Sequence, residues 1–150
     1  LLTTYVEGEA REVAKLTVAL AREVVASGQP APAPACLILG GETTVTLGNA
    51  PGMGGRNQEL ALAAALGVAG SERITIASLA TDGSDGPTDS AGGLVDGATV
   101  RLGEASGLDA GAMLRRHDAY PTLRATGDLL VSGPTQTNVN DLIFVWAEAE

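Results

Sequence analysis

Cysteine, histidine and lysine each occur once in the 150 residues, as Cys36, His117 and Lys15. A single thiol makes no intrachain disulfide, and one thiol with one imidazole is too small a set for a structural zinc site. A reducing, cytoplasmic setting is therefore expected. Aromatic residues make up only 3% of the chain, too few for platforms on which single-stranded bases stack. Positive charge is scarce as well, with nine Lys and Arg against 18 Asp and Glu and a formal net charge of −9. No nucleic acid and no anionic membrane is expected as a general partner, and a small anion can bind only where a few donors cluster. No stretch reaches the roughly 18 uninterrupted apolar residues of a membrane span, and the first residues lack a basic segment followed by an apolar one. Internal repeats are absent too. The opening Leu1-Leu2-Thr3 has no initiator methionine, so a piece cut from a longer protein is expected.

What is present is a hydrophobic content of 45%, enough for one well-packed domain spanning 1–150. The stretch that organises the rest is Thr81-Asp82-Gly83-Ser84-Asp85-Gly86-Pro87-Thr88-Asp89-Ser90-Ala91-Gly92-Gly93. It follows Ile74–Ala80, a short, nearly uncharged run that reads as a strand buried on both faces, as in parallel sheets. Open α/β sheets bind ligands beyond the carboxyl ends of their strands. Three aspartates delivered there suit a hard cation, substrate hydroxyls or general-base chemistry, or else they bond to their own loop and cap the next helix. An EF-hand is excluded, because the twelfth position counted from Asp82 is Gly93 rather than glutamate.

Helical spacing of apolar residues runs from Glu7 to Ser27 and stops at Gly28, with acidic residues in its first turn. A proline-rich connection, 29–34, leads to the strand Cys36–Leu39. Gly40-Gly41 then reads as a two-residue hairpin or as a bulge before Thr43–Leu47, with Glu42 beside the glycines. The glycine loop 48–55 feeds an alanine-leucine helix, a geometry whose free N–H groups and positive dipole end suit a phosphate or carboxylate. Arg56 stands at that opening, the only cation between Arg22 and Arg73, either gripping an anion with its planar fork or pairing with Glu59 or an aspartate. Asn57 falls where a dinucleotide fingerprint requires glycine, and the Lys-Ser/Thr of a P-loop is missing. Shorter helices are expected after Asp96 and Asp109, and a short turn that stops at Gly127 after Asp118. His117 sits in a last helical turn, where positive charge is favoured in any case, and reads as structural. Between the strands Leu129–Ser132 and Leu142–Ala147 lies a segment of hydroxyls and amides suited to a polyoxygenated ligand, with Asp141 placed to orient a neighbour. The expected fold is α/β, a mixed β-sheet of about five strands flanked by α-helices, the strands being Cys36–Leu39, Thr43–Leu47, Ile74–Ala80, Leu129–Ser132 and Leu142–Ala147.

Four motifs stand in order: Gly40-Gly41-Glu42-Thr43-Thr44-Val45, Gly54-Gly55-Arg56-Asn57-Gln58-Glu59-Leu60, Thr81-Asp82-Gly83-x-Asp85-Gly86-Pro87-Thr88-Asp89, and Gly133-Pro134-Thr135-x-Thr137-Asn138-Val139-x-Asp141-Leu142. Together they resemble the MOFRL domain, from about Gly8 to the end of the chain. The resemblance implies the C-terminal part of a glycerate 2-kinase, of a family often labelled hydroxypyruvate reductase. ATP and Mg2+ are its implied cofactors, 2-phosphoglycerate its product, and a larger N-terminal α/β domain of the same polypeptide its partner across a cleft. It implies Arg56, Asp82 and Asp85 as catalytic candidates, and Glu42, Gly54, Gly55, Asn57, Asp89, Thr135, Thr137 and Asn138 as contacts to a small anionic substrate. Asp82 and Asp89 are the implied metal contacts. A homodimer is one assembly open to such a protein, and the fragment alone is expected to be inactive, since phosphoryl transfer needs more cationic contacts than one arginine. Two rival expectations are a nicotinamide-dependent hydroxypyruvate reductase and a non-catalytic module that binds small anions.

Overall fold

The computed structural model describes residues 1–49 and 52–149, so Ala50 and Pro51 of the glycine loop lie outside the described residues. Residue 10 is where extended chain gives way to helix. Strand β1 (Thr3–Glu9) buries only Val6, and helix α1 (Ala10–Ser27) then buries Ala10, Val13, Ala14, Thr17, Val18, Ala21 and Val24 on a single stripe. The helical expectation from Glu7 is corrected by three residues: Gly8 has φ +111°, outside the helical region, and Glu7 to Glu9 pair with Glu42 to Thr44 instead. Gly28 closes α1 in the left-handed conformation.

Strand β2 (Ala35–Thr44) runs straight through Gly40-Gly41 without reversing. The irregularity there is a bulge in the parallel pairing with β1, between Thr3 and Val6. Residues 45–47 are not in a strand, so the two short strands expected here are one longer one. Helix α2 (Arg56–Val68) follows, buried nearly all round, and then β3 (Ile74–Ala80) and β4 (Gly92–Asp96). Helices α3 (Thr99–Ala105), α4 (Ala110–Arg115) and α5 (Ala119–Thr126) lead to β5 (Leu129–Leu130) and β6 (Asp141–Ala147). Asp109 caps α4 by accepting from Ala112 N at 2.8 Å, and Gly127 closes α5, both as the turn residues foretell.

The six strands form one mixed sheet in the order β1-β2-β6-β3-β4-β5. Only β1 and β2 are parallel, and β3 is antiparallel to both β6 and β4. The apolar run of β3 therefore marks a central strand rather than a parallel one. Helices α1 and α2 cover one sheet face, where Leu37, Leu39, Ile76, Val95, Ile143 and Val145 form the core with Leu60 and Leu62 of α2. The smaller helices make their main contacts with α2, with one another and with β5. Opposite this layer the sheet face is only half-buried, with Leu94 43% and Trp146 44% exposed.

Pairing sets the function-bearing turns side by side. Asp141, the first residue of β6, stands opposite Gly41 of β2 and Ala80 of β3. One rim of the sheet thus carries Glu42, Thr81-Asp82 and Asp141 together. Gly41 lets β1 close on β2 beside this rim: at φ +152° an added Cβ would lie 2.1 Å from the Val6 carbonyl oxygen. Gly41→Ala is expected to lower stability by about 2 kcal/mol or more, measured as a fall in the urea midpoint at unchanged slope.

Candidate functional site

Arg56 opens α2, with Gly55 as the extended N-cap residue, and its side chain reaches across the rim to the buried carboxylate of Asp141. Its Nε donates to Asp141 Oδ2 at 2.6 Å and its Nη2 to Oδ1 at 2.9 Å, a bidentate fork. Glu42 Oε1 lies 3.3 Å from the same Nη2. The bonds from Asp141 hold the guanidinium more firmly protonated than usual. Of its nitrogens, Nη1 alone has no partner among the described residues. Arg56 is therefore fixed in direction, charge-compensated by two carboxylates, and left with one donor nitrogen to spend.

The helix opening itself is already filled. Asp85, 1% exposed, turns inward and lays its carboxylate on the first turn of α2. Oδ1 accepts from the Asn57 N–H at 3.1 Å and Oδ2 from the Gln58 N–H at 2.8 Å. The side-chain amides of Asn57 and Gln58 donate to the same two oxygens at 3.3 and 3.1 Å. The anion that the glycine loop and helix dipole favour is thus the protein's own. Burial pushes the Asp85 carboxyl upward, against those four donors, which pull it down. Gly55 permits the contact, because a Cβ there would lie 2.3 Å from Asp85 Cγ. Asn57 is wholly buried and also accepts from Ser78 Oγ at 2.6 Å, so it ties α2 to β3 and does not face a ligand.

The hydroxyl-rich segment before β6 packs on the start of the acidic loop. Thr135 donates its hydroxyl to the Thr81 carbonyl and its N–H to the Asp82 carbonyl, the latter at 3.2 Å. Asn138 Nδ2 donates to Asp82 Oδ2 at 3.3 Å, while Ser84 N–H holds Oδ1 at 3.0 Å. Thr137 is exposed, and its carbonyl accepts from Thr135 at 3.3 Å. Asp89 goes elsewhere: exposed on the same loop, it accepts from the Tyr120 hydroxyl of α5 at 2.8 Å, which raises the Tyr120 pKa. Among the described residues no three Asp, Glu, His or Cys side chains converge as a cation site.

A cleft of about 470 Å³ opens beside Arg56, walled by Val45, Leu47, Pro87 and Ala119 as well as Gly54 and Gly55. The buried Thr43 hydroxyl, at its edge, has no hydrogen-bond partner among the described residues. Two further residues of this wall, which the sequence reads as a partner for Arg56 and as a structural histidine, pair instead with each other and with α1. Glu59, 2% exposed, pairs with Arg11 of α1 at 2.7 Å, and His117 Nδ1 lies 2.7 Å from the other Glu59 oxygen. His117 Nδ1 is also 2.8 Å from Arg11 Nη2. One nitrogen cannot both donate to Glu59 and accept from Arg11, so the ring proton chooses between them. His117 is not in a helix at all; it follows α4 with φ +55°, a backbone shape no sequence pattern announces.

Comparison with known proteins matches residues 35–141 to a family model described as the MOFRL family. A D-glycerate 2-kinase of Thermotoga maritima is 49% identical over 145 residues, covering 96% of this chain and 34% of that protein. A protein of Agrobacterium vitis bearing the hydroxypyruvate reductase name is 43% identical over 144 residues, covering 95% of this chain and 33% of the other. The crystal structure of a glycerate kinase from Thermotoga maritima superposes with a TM-score of 0.94 at 47% identity, over 97% of this chain and 35% of that one. The chain thus spans about a third of the length of these relatives.

Asp85→Asn puts an amide donor against the donors of Asn57 and Gln58 and is expected to lower stability by about 1–3 kcal/mol. Because burial raises the native pKa, the folded state holds the Asp85 proton more tightly than the unfolded chain does. Its contribution is fully present below the ordinary value of 3.8 and is lost as pH rises through the raised native value. The lead of the wild type over Asp85→Asn is therefore larger at acid than at neutral pH, as urea unfolding across that range checks.

Proposed function

The chain belongs to the MOFRL family, and from that premise we propose that it is the C-terminal domain of an ATP-dependent D-glycerate 2-kinase, one part of a longer two-domain polypeptide. In that reaction the 2-hydroxyl oxygen of D-glycerate bonds to the γ-phosphorus of ATP while the bond to the bridging oxygen of ADP breaks. The hydroxyl proton leaves to a base, and 2-phosphoglycerate forms. Such transfer depends on positioning and on neutralising charge over the moving phosphoryl group. The observation that carries this assignment is the fixed guanidinium of Arg56, gripped by Asp141 at 2.6 and 2.9 Å with Nη1 left over. A donor held at a set angle fits an oxygen of the substrate carboxylate or of the moving phosphoryl group.

Asp85, with both oxygens committed to α2, acts in this scheme as a positioning residue: it seats the helix start and with it Arg56. Thr135 and Asn138 likewise orient the Thr81-Asp82 turn. Asp82 and Glu42 are the rim carboxylates proposed to meet substrate hydroxyls. Magnesium keeps several waters and takes one or two carboxylates plus phosphate oxygens, so the half-buried Asp82 fits as one such contact. When bound, Mg2+ neutralises charge on the phosphates. Asp89, engaged by Tyr120, is the weaker of the two metal candidates.

The hydroxypyruvate reductase name carried by one relative raises a second possibility. A dinucleotide pyrophosphate needs a free helix N-terminus, and that of α2 is occupied by Asp85. Full-length protein supplied with ATP, Mg2+ and D-glycerate is expected to form 2-phosphoglycerate. Arg56→Ala is expected to lower turnover by about 10²–10³-fold. NADH oxidation by hydroxypyruvate, with no ATP consumed on glycerate, would overturn the kinase assignment in favour of the reductase.

A further inference from the structure

An antiparallel sheet that meets water on one face normally alternates apolar and polar side chains. Here the uncovered face does not. Strand β6 is apolar at every position from Leu142 to Trp146, and β3 places Ala77 and Leu79 on the same side as Phe144 and Trp146. Register aligns these side chains in rows across the sheet: Ile38, Phe144, Ala77 and Leu94 form one, and Cys36, Trp146, Thr75 and, at the margin, the exposed Asp96 the next. A groove of about 520 Å³ runs over them, and the only acidic residue lining it is Glu148, at one end. The one tryptophan and the one phenylalanine of the chain both lie in it. Monomeric proteins rarely leave so continuous an apolar patch in water, and aromatic anchors of this kind concentrate in the cores of interfaces.

Resting on the assignment of this chain to a longer polypeptide, we propose that the open sheet face is the seat of the remaining two-thirds of that polypeptide, docked through an apolar layer over Phe144, Trp146 and Leu94. Length supplies the occupant: the relatives carry about twice as much chain again beyond the matched third. Charge disfavours the alternative, since two copies each at −9 repel when brought together. Position gives the docking a consequence. Leu142 and Leu79 of the same face directly adjoin Asp141 and Ala80 at the rim, so a body seated here overhangs Glu42, Asp82 and Arg56.

Cys36, exposed on this face in the present structure, is the probe. Full-length protein, shown to be monomeric by light scattering, is treated with a thiol reagent, and modification of the Cys36 peptide is followed by mass spectrometry. The expected result is labelling at least about tenfold slower than in an unstructured peptide of the same sequence. Trp146→Asp and Leu94→Asp, both at half-exposed positions outside the core, should each restore fast labelling while circular dichroism stays unchanged. Fast labelling of the monomeric wild type would overturn the proposal, as would protection that appears only when a dimer forms, which would make a second copy the occupant. Turnover plays no part in the readout, so a protected Cys36 in a protein that does not phosphorylate glycerate would fault the kinase assignment and leave the docking intact.

Discussion

The buried carboxylate of Asp85 on the first turn of α2 is the contact on which the rest of the site depends. It joins the two loops that the sequence separates by nearly thirty residues, 28 between Asn57 and Asp85. Without an acceptor there, two helix N–H groups and two side-chain amides would be buried without partners, each at a cost of about 1–3 kcal/mol. With it, the acidic loop is locked against the helix and Arg56, one residue before Asn57, is placed at the rim. Desolvation opposes the arrangement, as the raised pKa of Asp85 records. The four donors are what make an ionised carboxylate tolerable at this depth.

A second constraint is the strand register. Asp141 begins β6 where β2 carries Gly41 and β3 carries Ala80. A slip of one residue would turn Asp141 to the other face of the sheet and leave Arg56 without its fork. The core stripe Ile143, Val145 and Ala147 fixes that register, because each must face α1 and α2. Packing of ordinary aliphatic side chains thereby sets the angle of a guanidinium at the far end of the strand.

Much of this was legible in the sequence, and the losses have physical reasons. Helices α1, α2 and α4 and strands β3 and β6 announce themselves through period and caps. Strand β1 does not: only Val6 is buried, and its extended shape comes from parallel pairing with β2, a contact no local pattern encodes. Strand β4 hides among the glycines that end the acidic loop. The double glycine at 40 and 41 leaves a hairpin and a bulge both open from the sequence, and the parallel pairing with β1 decides for the bulge. At the site, the motifs bring Arg56, Glu42, Asp82 and Asp141 into one neighbourhood, but they do not tell which aspartate faces inward. Asn57 and Gln58 held the cue: two amides at the start of a buried helix require an acceptor, and Asp85 is the one within reach. From the sequence Glu59 reads as a partner for Arg56 and His117 as structural, because a helical glutamate and a histidine after a helix look like ordinary dipole partners; their pairing with each other and with Arg11 is long-range.

Charge around Arg56 closes the argument about what this chain is able to do by itself. The guanidinium already faces Asp141 and Glu42, so the immediate neighbourhood is net negative before any substrate arrives. Asp141 is buried and held by two bonds, whereas the side chain of Glu42 is 55% exposed and touches Nη2 at 3.3 Å. For the proposed anion Glu42 is the partner to displace rather than Asp141, since the exposed, weakly held one is the easier to move. In the proposed reaction one arginine would then face a substrate carboxylate together with a nucleoside triphosphate, while the helix N-terminus is occupied by Asp85. On that proposal the charge deficit is met by cations from the rest of the polypeptide, across a site shared between its two parts.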